Sequence, residues 1–162
     1  DEEQLFYLMA RGLDERHHLT LLCRDLSEIS HFARVDNKQY RFLKMATPGP
    51  WTFILEATRE VPRRVSHPSR KTIGIRVPDH RVTLSLIEAA GSPLMSTTLI
   101  PEGEEQPLND AQEIFQRYGG QLAAVIDGGP CSLAPTTVID LTGPLPEVVR
   151  QGQGDLAAVG LD

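Results

Sequence analysis

The sequence predicts a single domain of the α/β, mixed α+β, class. Three observations carry this reading. Short apolar runs alternate with helical periodicities, Gly- and Pro-rich turns separate them, and no repeat or low-complexity tract interrupts the pattern. A length of 162 residues, 40% hydrophobic and 23% charged, suits one domain with a core of its own and argues against disorder.

The elements follow in order. Gln4 to Arg11 places Leu5, Leu8 and Met9 at helical spacing and reads as the tail of a helix. Because the chain opens inside that pattern, with no strand and no cap before it, residue 1 reads as a cut within a longer domain. Leu19–Cys23 is a short apolar run ending in a charged pair, a buried strand. Asp25 to Glu28 has the spacing of a capping box and opens a short helix. Asp36 caps a second helix to Met45, stopped by Thr47-Pro48-Gly49-Pro50. Trp51–Ala57, aromatic and β-branched, is a strand, as is Thr72–Val77. Asp79 opens an amphipathic helix through Ala89, with Gly91 as its C-cap. Leu94–Thr98 is a strand and Pro101–Pro107 an acidic loop. Asn109, with Gln112 three residues on, caps a helix ending at Gly119-Gly120. Ala123–Asp127, Thr137–Leu141 and Val148–Arg150 are short strands. The domain thus covers residues 1–150, and residues 151–162 are a Gly-rich tail that reads as a loose end or a linker.

Composition excludes several functions. Two cysteines, Cys23 and Cys131, make no disulfide scaffold and no CxxC zinc site. The five histidines show no metal-ligand spacing, so no metal site is expected. No run approaches the roughly 18 apolar residues of a membrane helix, and the acidic start is not a signal peptide. A cytoplasmic location and no membrane partner are expected. Phosphate-loop, dinucleotide, zinc-protease and serine-hydrolase motifs are absent.

Net charge is -6, yet Arg59 to Arg81 holds seven bases against two acids, while Pro101 onward holds ten acids and two bases. One basic segment in an acidic chain fits a local anion site better than a broad nucleic-acid footprint; a solvated basic loop is the plainer alternative. Arg76 stands at a strand end, where ligands of open α/β sheets sit and where a guanidinium clamps a carboxylate or phosphate; a surface ion pair is the more common use of a lone strand-end arginine. Ser96-Thr97-Thr98 puts hydroxyls at another strand end, with Ser96 and Thr98 on one face, and Thr136-Thr137 and Arg150 repeat the theme. Such groups suit an anionic, oxygen-rich ligand such as a nucleotide.

In order, His18–Ser30, Thr47–Thr58, Val61–Arg64, Lys71–His80, Met95–Leu99, Asp127–Gly129, Pro135–Thr142 and Arg150 with its following glycines resemble the YrdC/YciO family of threonylcarbamoyl-AMP synthases, and the YciO branch in particular. The resemblance implies a twisted mixed sheet flanked by helices, with a concave, positively lined cavity. It places the family's first strand, with its threonine-site turn, ahead of Asp1. It implies condensation of L-threonine, bicarbonate and ATP, with Mg²⁺, to threonylcarbamoyl-AMP and pyrophosphate, for modification of tRNA. The alternative it carries is a nucleotide- or double-stranded-RNA-binding module without turnover. ATP, threonine and bicarbonate are therefore the expected partners, with RNA or tRNA and a second copy of the chain as further candidates. Carried over, Arg11, Thr98 and Arg150 match ATP-site positions, and His18, Arg76, Ser96 and Thr136 match threonine-site positions. Arg63, Arg64 and Lys71 fall on the basic rim. No catalytic base is assigned. Two positions depart from the family: Met9 stands for a lysine and Ile100 for an asparagine.

Overall fold

Alternation of buried and half-buried residues along each short strand builds the sheet around which the protein is organised. The computed structural model describes residues 19–61 and 71–161. The expected helix over residues 4–11, and the residues Arg11, His18, Arg63 and Arg64, lie outside them. The chain divides into two units, one running up to Thr97 and resuming at Thr136, the other spanning Thr98–Pro135.

The first unit contains strands β1 (Thr20–Leu22), β2 (Ala33–Arg34), β3 (Trp51–Ala57), β4 (Thr72–Arg76), β5 (Leu94–Ser96), β6 (Thr137–Asp140) and β7 (Glu147–Arg150). It also contains helices α1 (Leu26–Phe32), α2 (Asn37–Ala46) and α3 (Arg81–Ala90), and a 3₁₀ turn at Leu156–Val159. The seven strands form one mixed sheet in the order β5-β1-β4-β3-β6-β7. β1 is parallel to β4 and β3 to β6, while β1–β5, β3–β4 and β6–β7 are antiparallel. β2 pairs with the far end of β3, Ala33 opposite Ala57.

The helix signals are read correctly in kind and shifted by a residue in two places. Asp25 accepts from Glu28 N at 2.9 Å, but Glu28 closes its side of the box on Arg24 N at 3.0 Å. At α2 the box is complete: Asp36 accepts from Gln39 N and Gln39 Oε1 accepts from Asp36 N, both at 2.8 Å. Gln39 Nε2 also donates to Leu141 O at 2.7 Å and so ties the helix start to the end of β6. α3 begins at Arg81, so the acceptor three residues before its Thr83 N–H is His80 Nδ1, at 3.3 Å, and not Asp79. Gly91, at φ 66°, closes that helix in the left-handed conformation.

One face of the sheet carries the core. Leu21, Phe53, Leu55, Ile75 and Ile139 are buried there, together with Ile29 of α1 and Phe42 and Leu43 of α2. Each such side chain contributes about 1.5–3 kcal/mol by leaving water. The segment after β7 belongs to this core and is not a loose end. Val159 is buried, Leu156 and Leu161 pack against the cluster, and Thr137 Oγ1 donates to Gly154 O at 2.9 Å.

The second unit holds α4 (Ala111–Tyr118) and a 3₁₀ turn at Gly119–Gln121. Asp110, not Asn109, caps α4, accepting from Glu113 N at 2.8 Å; Asn109 instead donates to Cys131 O at 2.8 Å. Arg117 of α4 bridges Glu104 and Glu113. The strand expected at Ala123–Asp127 is not formed. Its residues are largely exposed and pair with no strand among the described residues, and β-propensity without a partner does not make a strand.

Candidate functional site

The period-2 geometry that buries one face of the sheet turns its hydroxyls and arginines, interleaved with Leu22, Ile54 and Val138, onto the other. Thr20 and Leu22 of β1, Gly74 and Arg76 of β4, Val138 and Asp140 of β6, and Ser96 of β5 are half-buried on that second face, and Thr52 of β3 is buried. Register fixes their order across the sheet. Ser96 lies opposite Thr20, Thr20 opposite Gly74, Thr52 opposite Val138, and Val138 opposite Arg150.

Two hydrogen-bonded groups stand on this face. In the first, the hydroxyls of Ser96 and Thr20 lie 3.0 Å apart. In the second, Thr52 Oγ1 and Thr136 Oγ1 lie 2.7 Å apart, and Arg150 closes on Thr136 from the edge. Arg150 donates through Nε and Nη2 to Thr136 O, at 3.2 and 3.0 Å, and through Nη2 to Thr136 Oγ1 at 3.3 Å. That two-pronged grip orients a guanidinium on an exposed strand. Gly74 leaves bare backbone between the groups. A Cβ there would stand 3.0 Å from Thr20 Cγ2 and 3.6 Å from Thr52 Cγ2.

Arg76 is the last residue of β4, opposite Leu22, and its carbonyl accepts from Cys23 N at 2.8 Å. The next residue leaves the sheet, since Val77 O accepts from Gly49 N at 3.0 Å, so the strand stops at Arg76 and not at Val77. From β4 to β7 is three strand spacings, about 14 Å, which separates the backbones of Arg76 and Arg150 by roughly the length of an extended nucleotide or a small acid joined to one. Asp140 turns back into its own chain, accepting from Thr142 N at 2.8 Å and Thr142 Oγ1 at 2.6 Å.

Of the residues singled out in the sequence, Arg76, Ser96, Thr136 and Arg150 thus share one face of one sheet. Thr98 does not: β5 ends at Ser96, and Thr98 is exposed and belongs to the second unit. Ile100 is in that unit too. Lys71 is exposed at φ 54° immediately before β4, at the opposite end of the strand from Arg76. Sequence reasoning missed Thr20, Thr52 and Gly74. Alternation in Trp51–Ala57 and Thr72–Arg76 contained the signal, since Thr52 falls on the face away from Phe53 and Gly74 on the face away from Ile75.

Burial pushes the Cys23 thiol up to about 12, helped by the carboxylates of Glu28 and Asp25, so it stays a neutral core group. Among the described residues no three His, Cys, Asp or Glu side chains gather to hold a metal ion, and no helix is long and apolar enough to cross a membrane.

A twisted open mixed sheet flanked by helices, with hydroxyls and two arginines on one face, defines a mixed α/β protein. Comparison with known proteins agrees with the motifs. The Sua5/YciO/YrdC family profile, described as Telomere recombination, matches residues 4–152, and the chain belongs to that family. It is 49% identical to the uncharacterized protein YciO of Escherichia coli (strain K12) over 146 residues, 90% of this chain and 71% of that one. The crystal structure of E. coli YciO superposes with a TM-score of 0.88 at 45% identity, covering 98% of this chain and 78% of that chain. More distant relatives include the threonylcarbamoyl-AMP synthase of Pyrococcus abyssi, 32% identical over 65% of this chain and 31% of its own length. The P. abyssi Sua5 structure complexed with L-threonine matches at 26% identity and a TM-score of 0.81, covering 94% of this chain and 45% of that one.

Proposed function

We propose that this chain binds ATP and L-threonine on the second face of its sheet and catalyses formation of threonylcarbamoyl-AMP. The observation that carries the reading is the hydrogen-bonded run Arg150–Thr136–Thr52 on the face that also bears Arg76. Arg76 takes the threonine carboxylate, with Ser96 and Thr136 supplying hydroxyls and His18 completing the amino-acid end. Arg150, with Arg11, takes the phosphates, and Arg63 and Arg64 belong to the basic rim. Magnesium enters with ATP, as part of the substrate.

The chemistry is a displacement at phosphorus. The threonine amine and bicarbonate combine, losing water, to a carbamate. A carbamate oxygen attacks the α-phosphorus of ATP, the bond to the bridging oxygen breaks, and pyrophosphate leaves. A reaction of this kind needs positioning and neutralisation of phosphate charge more than a dedicated base, which suits a site of hydroxyls and guanidinium groups. The P. abyssi protein complexed with L-threonine supports the amino-acid half. The product would serve modification of tRNA.

The test is pyrophosphate release by the purified protein in MgATP. Release that requires both L-threonine and bicarbonate, with labelled bicarbonate entering the nucleotide product, is the expected result. ATP binding without release under any combination would replace the synthase with a nucleotide-binding module. Tight RNA binding that falls steeply with salt, lost in Arg63→Glu/Arg64→Glu, would favour an RNA-binding module.

A further inference from the structure

We infer that Thr137 is a positioning residue for Arg150, holding the backbone beyond the arginine while Thr136 holds its side chain; the functional weight of this role rests on the nucleotide reading of Arg150 given above. Thr136, just before β6, bonds Thr52 on one face, and Thr137, the first residue of β6, bonds the backbone of Gly152 and Gly154 on the other, so the two address the same segment from two sides.

Thr137 opens β6 opposite Trp51 and is fully buried. Its hydroxyl is used twice: Oγ1 accepts from Gly152 N at 2.9 Å and donates to Gly154 O at 2.9 Å. Those bonds fall two and four residues beyond Arg150. On the other face, Arg150 grips Thr136 O and Oγ1. The arginine is thereby fixed at both ends, its guanidinium on the second face and its following backbone under the core face.

The second anchor matters because Thr136 holds the side chain of Arg150 and little else holds its strand. Every residue of β7 is exposed, β7 is the last strand of the sheet among the described residues, and its pairing with β6 slips between Val138 and Ile139. A long side chain on such a strand keeps a wide choice of rotamers, and holding the backbone beneath it narrows where the guanidinium reaches. A hydroxyl, which donates and accepts from one atom, serves both glycines. The glycines fit the same purpose. At Gly154 a Cβ would come within 2.8 Å of the Trp51 ring and 2.9 Å of Thr137 Oγ1, so the backbone lies as close as it can. Thr137 therefore acts through Arg150 and not on a ligand.

The experiment compares the full chain as wild type, Thr137→Val and Thr137→Ser. Valine keeps the shape and removes the hydroxyl; serine restores it. Exchange of the Arg150 Nε–H with solvent, followed by NMR and assigned with Arg150→Lys, is expected to quicken about tenfold in Thr137→Val, the scale of one lost hydrogen bond, and to return in Thr137→Ser. ATP affinity by calorimetry is expected to fall about tenfold in Thr137→Val and recover in Thr137→Ser, with L-threonine affinity within about twofold of wild type. An unchanged Nε–H exchange rate, or equal losses of ATP and threonine affinity, overturns the inference. If Thr137→Val does not fold, Thr137→Cys, whose thiol is a weak donor and acceptor, decides by the same exchange measurement. A wild-type protein that binds no ATP would overturn the nucleotide reading of Arg150, and the exchange comparison would still decide the positioning role.

Discussion

Gly154→Ala is expected to destabilise the protein through the Trp51 ring. An alanine Cβ at this position would stand 2.8 Å from Trp51 Cδ2 and Cε3 and 2.9 Å from Thr137 Oγ1. Carbon atoms pack best at about 3.5–4.0 Å, so the methyl is short of room by most of an ångström. The indole has nowhere to retreat. It is 5% exposed, stacks along Phe53 at 6.4 Å, and on its other edge Gly49 already approaches so closely that a Cβ would meet Cδ1 at 3.0 Å. Overpacking of this kind costs about 1–3 kcal/mol. At about 3 °C per kcal/mol for a chain of this size, the midpoint should fall by about 3–9 °C. The assay is thermal unfolding followed by far-UV circular dichroism together with fluorescence of Trp51, the single tryptophan of the chain. Gly120→Ala is the control, since nothing lies within 4 Å of its added Cβ. A Gly154→Ala protein with an unchanged midpoint and native tryptophan emission would refute the tight packing of the segment after β7.

Three further outcomes are expected. Arg150→Ala should weaken ATP binding by about 1.5–3 kcal/mol, the scale of a charge-assisted hydrogen bond, read by calorimetry on a protein shown to be folded; unchanged affinity rejects its role. Arg76→Lys should impair threonine use more than ATP binding, because a point-charge ammonium does not reproduce a bidentate fork; steady-state titration of each substrate separates the two, and an equal effect on both counts against the assignment. For the cysteines, native protein at neutral pH should show one thiol reactive to a soluble disulfide reagent, the exposed Cys131, and a second only on unfolding, since Cys23 is buried. The neutral Cys23 thiol is favoured by the fold, with its pKa raised from 9.0 to about 12, so its contribution is complete below pH 9 and is lost as pH climbs toward 12. The loss amounts to up to about 1.4 kcal/mol per pH unit, and Cys23→Ala should flatten that part of the stability curve.

The sequence by itself determined the fold class, the kinds of element and the family, because these rest on local signals. Asp36 with Gln39, the Pro-Gly-Pro stop before Trp51, Gly91 past a helix end and the alternation of Trp51–Ala57 act within a few residues of themselves. Caps were displaced by one residue at His80 and Asp110, where two neighbouring side chains were both able to accept and the helix start chose between them. Arg76, Ser96, Thr136 and Arg150 were visible as strand-end groups. Their assembly on one face was not, for it depends on pairings between residues far apart in the chain, Thr20 with Ser96 and Thr52 with Thr136. Tertiary structure alone also decided that Ala123–Asp127 is no strand, that Thr98 leaves the sheet, and that the Gly-rich segment after Arg150 is anchored against the core. Each of these turns on whether a partner lies alongside. A backbone hydrogen bond or a buried surface needs a second group in place, and a linear sequence does not say where that group will be.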